Sequence, residues 1–222
     1  MTDDRYKQIE AYMQSQMSDS AHDKEHVYRV LNYALEIAKF EQEVNLELLI
    51  TAALLHDIGR AEQFATPTID HATLGADKAK NYLLSTGYEP EFADAVSAAI
   101  SSHRFRSDNP PFSIEAKILF DADKIDVCGV MGMVRGVQYK AHTGEPLYTF
   151  NPNGSISDGT ENDTDSLFHE YKFKLEKIYD RFYTKRGADL GEKRRKAAAD
   201  FYNSLLAEVR ECYQSNIKEI LV

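Results

Sequence analysis

Thr51-Ala52-Ala53-Leu54-Leu55-His56-Asp57-Ile58-Gly59 is the stretch on which the reading turns. An apolar, helix-forming run ends in two adjacent polar groups that can each bind a metal, and Gly59 stops it. Burying a histidine beside a carboxylate is costly unless something pairs with both. A divalent cation satisfies the two at once. Asn45 caps this helix from the front, and its stripe is Leu48, Leu49, Ala52, Ala53, Leu55 and His56. The pair therefore sits in the last turn, where the negative end of the helix dipole favours a cation.

Upstream, a first helix spans about Asp4 to Met17, and Ser20 and Asp23 are N-cap types that start a second. Val27, Val30, Leu31, Ala34, Ile37 and Ala38 carry its period. His22, His26 and Val30 fall four apart on one face, so His26 points to the core. A lone histidine there reads as a core residue bonded to backbone; with His56-Asp57 downstream it reads as a ligand.

Downstream, Arg60 and Glu62 occupy an exit loop, either as solvated charges or as contacts to a ligand above the metal. Thr66 to Asp70 breaks the chain, and a helix runs from His71 to about Ser85, ended by Gly87. Pro90 opens the next helix, which leads to His103. Arg104-Phe105-Arg106 and the residues to Pro111 are either a phosphate-and-base contact set or a surface loop. Ser113 to Val127 is a buried helix that carries Asp121, Asp123 and Asp126. Asp123 lies four residues after the core position Leu119 and faces inward, with Asp126 beside it. Lys124 neutralises a carboxylate or binds phosphate. A polar stretch from about Ala141 to Asp165 is a long loop. Leu167, Phe168, Tyr171, Leu175, Ile178 and Phe182 form a further helical stripe. After Gly187 a last helix spans about Leu190 to Ile217, with Lys193-Arg194-Arg195-Lys196 most simply a solvated face and otherwise a phosphate contact.

The bulk composition narrows the function. The 222 residues are 43% hydrophobic, enough for one domain with a real core. A formal charge of -10 disfavours non-specific nucleic-acid binding. Two cysteines without CxxC spacing suit a reducing compartment. No basic and apolar leader opens the chain and no run reaches membrane-span length, so a cytoplasmic protein without membrane or nucleic-acid partners is expected. The expected class is all-α. The domain expectation is a single unit over 1–222, with a core at about 18–140, the polar loop at 141–165 and C-terminal helices at 166–222 packing on that core.

In chain order the donors are His26, His56-Asp57 and Asp123. Imidazole and carboxylate suit Mn, Mg, Fe, Co, Ni or Zn. This order resembles the H…HD…D signature of the HD-domain metal-dependent phosphohydrolases. Ala21-His22-Asp23-x-x-His26-x-x-Arg29-Val30 is similar to the opening motif of the small bacterial members. Ala52-x-Leu54-Leu55-His56-Asp57-Ile58-Gly59 and Asp121-Ala122-Asp123-Lys124-Ile125-Asp126 resemble the next two blocks. His71-Ala72-x-x-Gly75-Ala76 and Thr184-x-x-Gly187 resemble later segments.

The resemblance implies an all-α HD-domain bundle with the metal site between helices, and hydrolysis of phosphate esters or anhydrides. The subgroup implies nucleoside triphosphate pyrophosphohydrolase activity through metal-activated water. A phosphomonoesterase, a 5'-nucleotidase or another phosphodiesterase of that family is the alternative, and a non-catalytic nucleotide sensor a more distant one. One divalent ion is expected, and His71 and His103 either complete a second metal site or act on the substrate; His71 follows Asp57 by only 14 residues, closer than the dinuclear pattern. The expected metal ligands are His26, His56, Asp57 and Asp123. Asp57 and Asp126 are expected to orient the water and Lys124 to serve catalysis. Arg29, Arg60, His71, His103 and Arg104 are expected to bind a nucleotide or another small phosphorylated substrate. A homodimer is compatible with all of this.

Overall fold

The computed structural model describes residues 1–17, 24–104, 109–160 and 165–213. Ten α-helices and one 3-10 helix are found among them, with no β-strand and one isolated bridge between Phe150 and Ile156. The all-α expectation holds. The chain forms two compact units, one of residues 1–126 and 182–188, the other of 127–181 and 189–222. The region from 127 to 140, expected within the core, therefore falls in the second unit.

The first unit is built around two helices. Helix α3 (Leu46–Leu55) starts where the Asn45 side chain accepts the Leu48 N–H, and it buries Leu48, Leu49, Ala52, Ala53, Leu54 and Leu55. A helix apolar on nearly every side belongs at the centre of a core. Helix α7 (Ile114–Asp126) is buried along most of its length, carboxylates included. Helix α2 (Lys24–Ala38) packs against both with the stripe read from the sequence. Helix α1 (Asp3–Gln16) packs on α3 with Ile9 and Met13 buried. Helices α5 (His71–Ser85) and α6 (Pro90–Ser101) pair with each other, and both pack on α3. Asp70 caps α5 by accepting from the Ala72 and Thr73 N–H groups. The expected capping residues of α2, Ser20 and Asp23, and His22 with them, lie outside the described residues, as do Phe105 and Arg106.

Two local readings need correction. Arg60 and Glu62 do not lie in a loop. They belong to α4 (Arg60–Ala65), a six-residue helix too short to display a period. Gly187 does not mark a boundary either, because α10 (Lys185–Cys212) has already begun there. The Thr184 hydroxyl accepts the Gly187 N–H and donates to Asp121 Oδ2 at 2.7 Å. A Cβ on Gly187 would lie 2.5 Å from Asp121 Oδ2, so the glycine serves close approach to α7, not helix termination. Asp121 also accepts the Tyr183 and Thr184 N–H groups at 2.9 and 2.7 Å. Burial pushes its carboxyl up to about 6 against those bonds.

In the second unit, α8 (Gly129–Thr143) and α9 (Leu167–Phe173) pack together, and a 3-10 helix (Leu175–Asp180) follows. The expected single stripe from Leu167 to Phe182 is thus interrupted, because Lys174 takes a non-helical conformation. Within the polar stretch, Ile156 and Ser157 are buried, and Tyr202 on α10 donates to the Asp158 carbonyl at 2.5 Å. The expected end of the last helix, near Ile217, lies outside the described residues.

Gly59 links the fold to the site. A Cβ there would meet the His71 carbonyl oxygen at 2.5 Å and the Gly75 nitrogen at 2.8 Å, both backbone atoms. Gly59→Ala must therefore push the start of α5 away from the His56-Asp57 turn. The expected cost is about 1–3 kcal/mol, seen as a lowered Tm in thermal unfolding. An unchanged Tm would show that this approach is not tight.

Candidate metal centre

Five elements of the first unit deliver side chains to one buried place. His26 comes from α2, and His56 caps the C-terminus of α3 with Asp57 in the turn beyond. His71 opens α5, His103 follows α6, and Asp123 lies on α7. Each is at most 6% exposed. His26 Nε2 lies 3.3 Å from His56 Nε2, 3.3 Å from Asp123 Oδ1 and 3.5 Å from Asp57 Oδ2. On the other side of the same carboxylate, Asp57 Oδ1 lies 3.5 Å from His71 Nε2 and 3.6 Å from His103 Nε2. Two donor groups result, His26, His56 and Asp123 in one and Asp57, His71 and His103 in the other.

The far ring nitrogens decide what these rings offer. His56 Nδ1 faces the Ala53 carbonyl at 2.8 Å, and His103 Nδ1 faces the Ile100 carbonyl at 2.6 Å. His26 Nδ1 faces Asp126 Oδ2 at 2.8 Å, and His71 Nδ1 faces Gln63 Oε1 at 2.7 Å. All four partners are acceptors, so each Nδ1 carries the proton and each Nε2 presents a lone pair. Burial pushes the His56 pKa down to about 4 and the His71 pKa down to about 2, so both rings are neutral at neutral pH. Two imidazole lone pairs aimed at each other across 3.3 Å, with carboxylate oxygens around them, repel unless a cation lies among them. The Nε2 atoms of His71 and His103 are buried without a hydrogen-bond partner. This donor set fits a divalent cation, and Asp57 can reach both groups.

Burial pushes the Asp57 carboxyl up, but Arg60 and the surrounding histidines hold it well below the ordinary carboxylate range. Burial likewise raises Asp123, while Lys124 and His26 hold it well below that range. Both are anionic and ready to bind a cation.

The remaining candidates ring the cluster as ion pairs. Arg60 Nε donates to Asp57 Oδ1 at 3.0 Å, and Lys124 Nζ to Asp123 Oδ2 at 2.6 Å and the His103 carbonyl at 3.1 Å. Arg29 Nε and Nη2 donate to Asp126 Oδ1 and Oδ2 at 2.7 and 3.1 Å. Asp126 is fully buried behind His26, with its oxygens on Arg29 and on the ring nitrogen remote from the cluster. Arg104 pairs with the α5 cap, Asp70, at 3.2 Å. Gln63 is the residue that sequence reading missed. It sits on α4, and nothing in a single glutamine in a short polar run signals the histidine it holds.

The HD domain family model matches residues 24–128. The uncharacterized protein YpgQ of Bacillus subtilis is 28% identical over 91% of this chain and 93% of its own. The crystal structure of YpgQ in complex with ADP has a TM-score of 0.70 at 26% identity, covering 92% of this chain and 97% of that one. A predicted HD superfamily hydrolase from an uncultured Thermotogales bacterium is 28% identical, with a TM-score of 0.59 and 91% of each chain covered. A Lactobacillus plantarum protein at 22% identity and a TM-score of 0.74, covering 94% of this chain and 98% of that one, shares the fold. Residues 24–128 therefore match the HD domain, with histidine and aspartate gathered inside it in the order His26, His56-Asp57, Asp123, and this likeness supports a metal-dependent phosphohydrolase.

Proposed function

We propose that the chain hydrolyses nucleotides, and specifically that it is a nucleoside triphosphate pyrophosphohydrolase. The observation that carries this reading is the ring of cations around an anionic, lone-pair-rich cluster: Arg29, Arg60 and Lys124 all lie on its acidic members or their partners. A phosphate chain needs both a divalent ion and fixed positive charge. The ADP in the similar YpgQ structure supports a nucleotide as the bearer of that chain.

His26, His56, Asp57 and Asp123 would hold the ion, with His71 and His103 as further donors to the Asp57 side. The ion supplies charge neutralisation and an acidified water when bound. The side chains do the rest by positioning. Asp57 orients the water through a carboxylate oxygen. Lys124 fixes Asp123 and offsets its charge. Asp126 holds the His26 ring in the tautomer that turns Nε2 to the cluster. The side chains of Arg29, Arg60 and Arg104 are 25%, 29% and 29% exposed, and each guanidinium has five donors, so each can serve its carboxylate and a phosphate oxygen together. Water adds to the α-phosphorus, the bond to the bridging oxygen of the β-phosphate breaks, and a nucleoside monophosphate and pyrophosphate leave.

The test is a panel of nucleoside tri-, di- and monophosphates offered to metal-stripped protein with Mn, Mg, Co, Ni or Zn restored. Pyrophosphate released from triphosphates is the expected result. Inorganic phosphate from monophosphates alone would replace the reading with a phosphomonoesterase. Nucleotide binding without turnover in any metal would replace it with a sensor.

A further inference from the structure

Helix α3 ends at Leu55, so the turn that carries Asp57 lies beyond its hydrogen-bond ladder and depends on other partners. Within the turn, the Asp57 carbonyl accepts the Arg60 N–H at 3.0 Å, and the Gly59 carbonyl accepts the Gln63 N–H at 3.4 Å. The carbonyl between them, that of Ile58, accepts Lys78 Nζ at 2.9 Å. Lys78 reaches it from α5. A lysine at the end of a helix is well suited to hold carbonyls there. His71, Gly75 and Lys78 stand at i, i+4 and i+7, so they share one face of α5. A Cβ on Gly75 would lie 3.4 Å from the His56 carbonyl oxygen and 3.5 Å from the Gly59 nitrogen. The turn is thus laid on α5 by close backbone approaches at Gly59 and Gly75, and Lys78 anchors it there.

The ammonium is itself fixed. Its Nζ donates to Glu62 Oε1 on α4 at 2.6 Å. Burial raises the Glu62 carboxyl, but the bond from Lys78 brings it below its ordinary value, so the partner is anionic at neutral pH. That carboxylate offsets the ammonium charge. Lys78 therefore adds a directed bond to the turn without adding net positive charge beside a cation site. A binding constellation has to be held within roughly 0.5 Å of its productive geometry. Rotation of the Ile58 peptide would carry the preceding residue, Asp57, away from its place 3.5 Å from His26 Nε2 and 3.7 Å from His56 Nε2. We propose that Lys78 is a positioning residue: by holding the Ile58 carbonyl it fixes the peptide after Asp57 and so sets the Asp57 carboxylate against His26 and His56.

The inference rests on the reading of His26, His56, Asp57 and Asp123 as ligands and makes no use of a nucleotide. The metal-stripped full-length chain is titrated with Mn in a calorimeter, and the Tm of the metal-free protein is measured alongside. Lys78→Met keeps an unbranched side chain and removes the donor. It should weaken Mn binding by about tenfold, the low end of what loss of an outer partner costs a metal centre. Lys78→Arg restores a cationic donor and should recover most of that loss, whereas methionine would serve equally if Lys78 only filled space. Glu62 is 39% exposed, so Glu62→Gln spares the fold. It uncovers the ammonium charge and should weaken Mn binding by less than Lys78→Met does. If Lys78→Met does not fold, Glu62→Gln decides, and wild-type affinity in it overturns the role of Lys78. Wild-type affinity in a folded Lys78→Met, with or without a lowered metal-free Tm, or equal losses in Lys78→Met and Lys78→Arg, would overturn it too. Absence of Mn binding in the wild type would instead overturn the ligand reading beneath it.

Discussion

Asp57→Ala should abolish turnover and strip the centre of metal. Among the described residues, Asp57 is the one carboxylate that faces His26 and His56 through Oδ2 and His71 and His103 through Oδ1. Its removal takes a donor and a negative charge from both groups together. It also frees Arg60 to put a positive charge next to the histidine lone pairs, which opposes a cation further. A divalent ion is worth several kcal/mol of charge stabilisation in reactions at phosphorus. At 1.36 kcal/mol for each factor of ten, its loss lowers the rate by about a thousandfold or more. Metal content by mass spectrometry and turnover of a triphosphate should fall together. An Asp57→Ala protein with full metal content and full rate would remove Asp57 from the centre.

Asp126→Asn should weaken the centre without touching the cluster. The wild-type carboxylate takes the His26 Nδ1 proton on one oxygen and a two-pronged bond from Arg29. An amide has only one acceptor oxygen. If that oxygen keeps Arg29, the amide N–H₂ faces His26 Nδ1 and drives the ring proton to Nε2. The nitrogen that should ligate would then carry hydrogen. If the oxygen keeps His26, Arg29 loses its ion pair, and the amide N–H₂ crowds it inside a fully buried pocket. Either outcome harms the site from behind, and loss of a partner of this kind typically costs about 10–100-fold in metal affinity or activity. The diagnostic result is lower Mn affinity by calorimetry of the metal-stripped protein with no nucleotide present. Wild-type affinity in Asp126→Asn would mean that the His26 tautomer is set elsewhere.

The helices that carry the centre were legible because their periods are local. The stripe of α2, the Asn45 cap, the Pro90 start and the buried run of α7 each lie within about a dozen residues, the scale on which a helix declares itself. His56-Asp57 was legible for the same reason, as two polar groups at the end of an apolar run. The short helix α4 and the early start of α10 were not. The first spans too few residues to show a period, and the second depends on Asp121 reaching Thr184 from 63 positions away.

The sequence by itself thus determined the helical class and the resemblance to a family, and it named His26, His56, Asp57 and Asp123 as candidate donors. Only the tertiary structure decided how those donors are completed. It set His71 and His103 against Asp57, placed Asp126 behind His26 and gave Gln63 to His71. The physical reason is that residue type records what a side chain can donate, whereas a histidine becomes a ligand only when a partner holds its other nitrogen. For His56 and His103 that partner is a backbone carbonyl three residues earlier, so folding of the helix supplies it. For His26 it is a carboxylate 100 residues away, and only packing of α2 against α7 brings the two together.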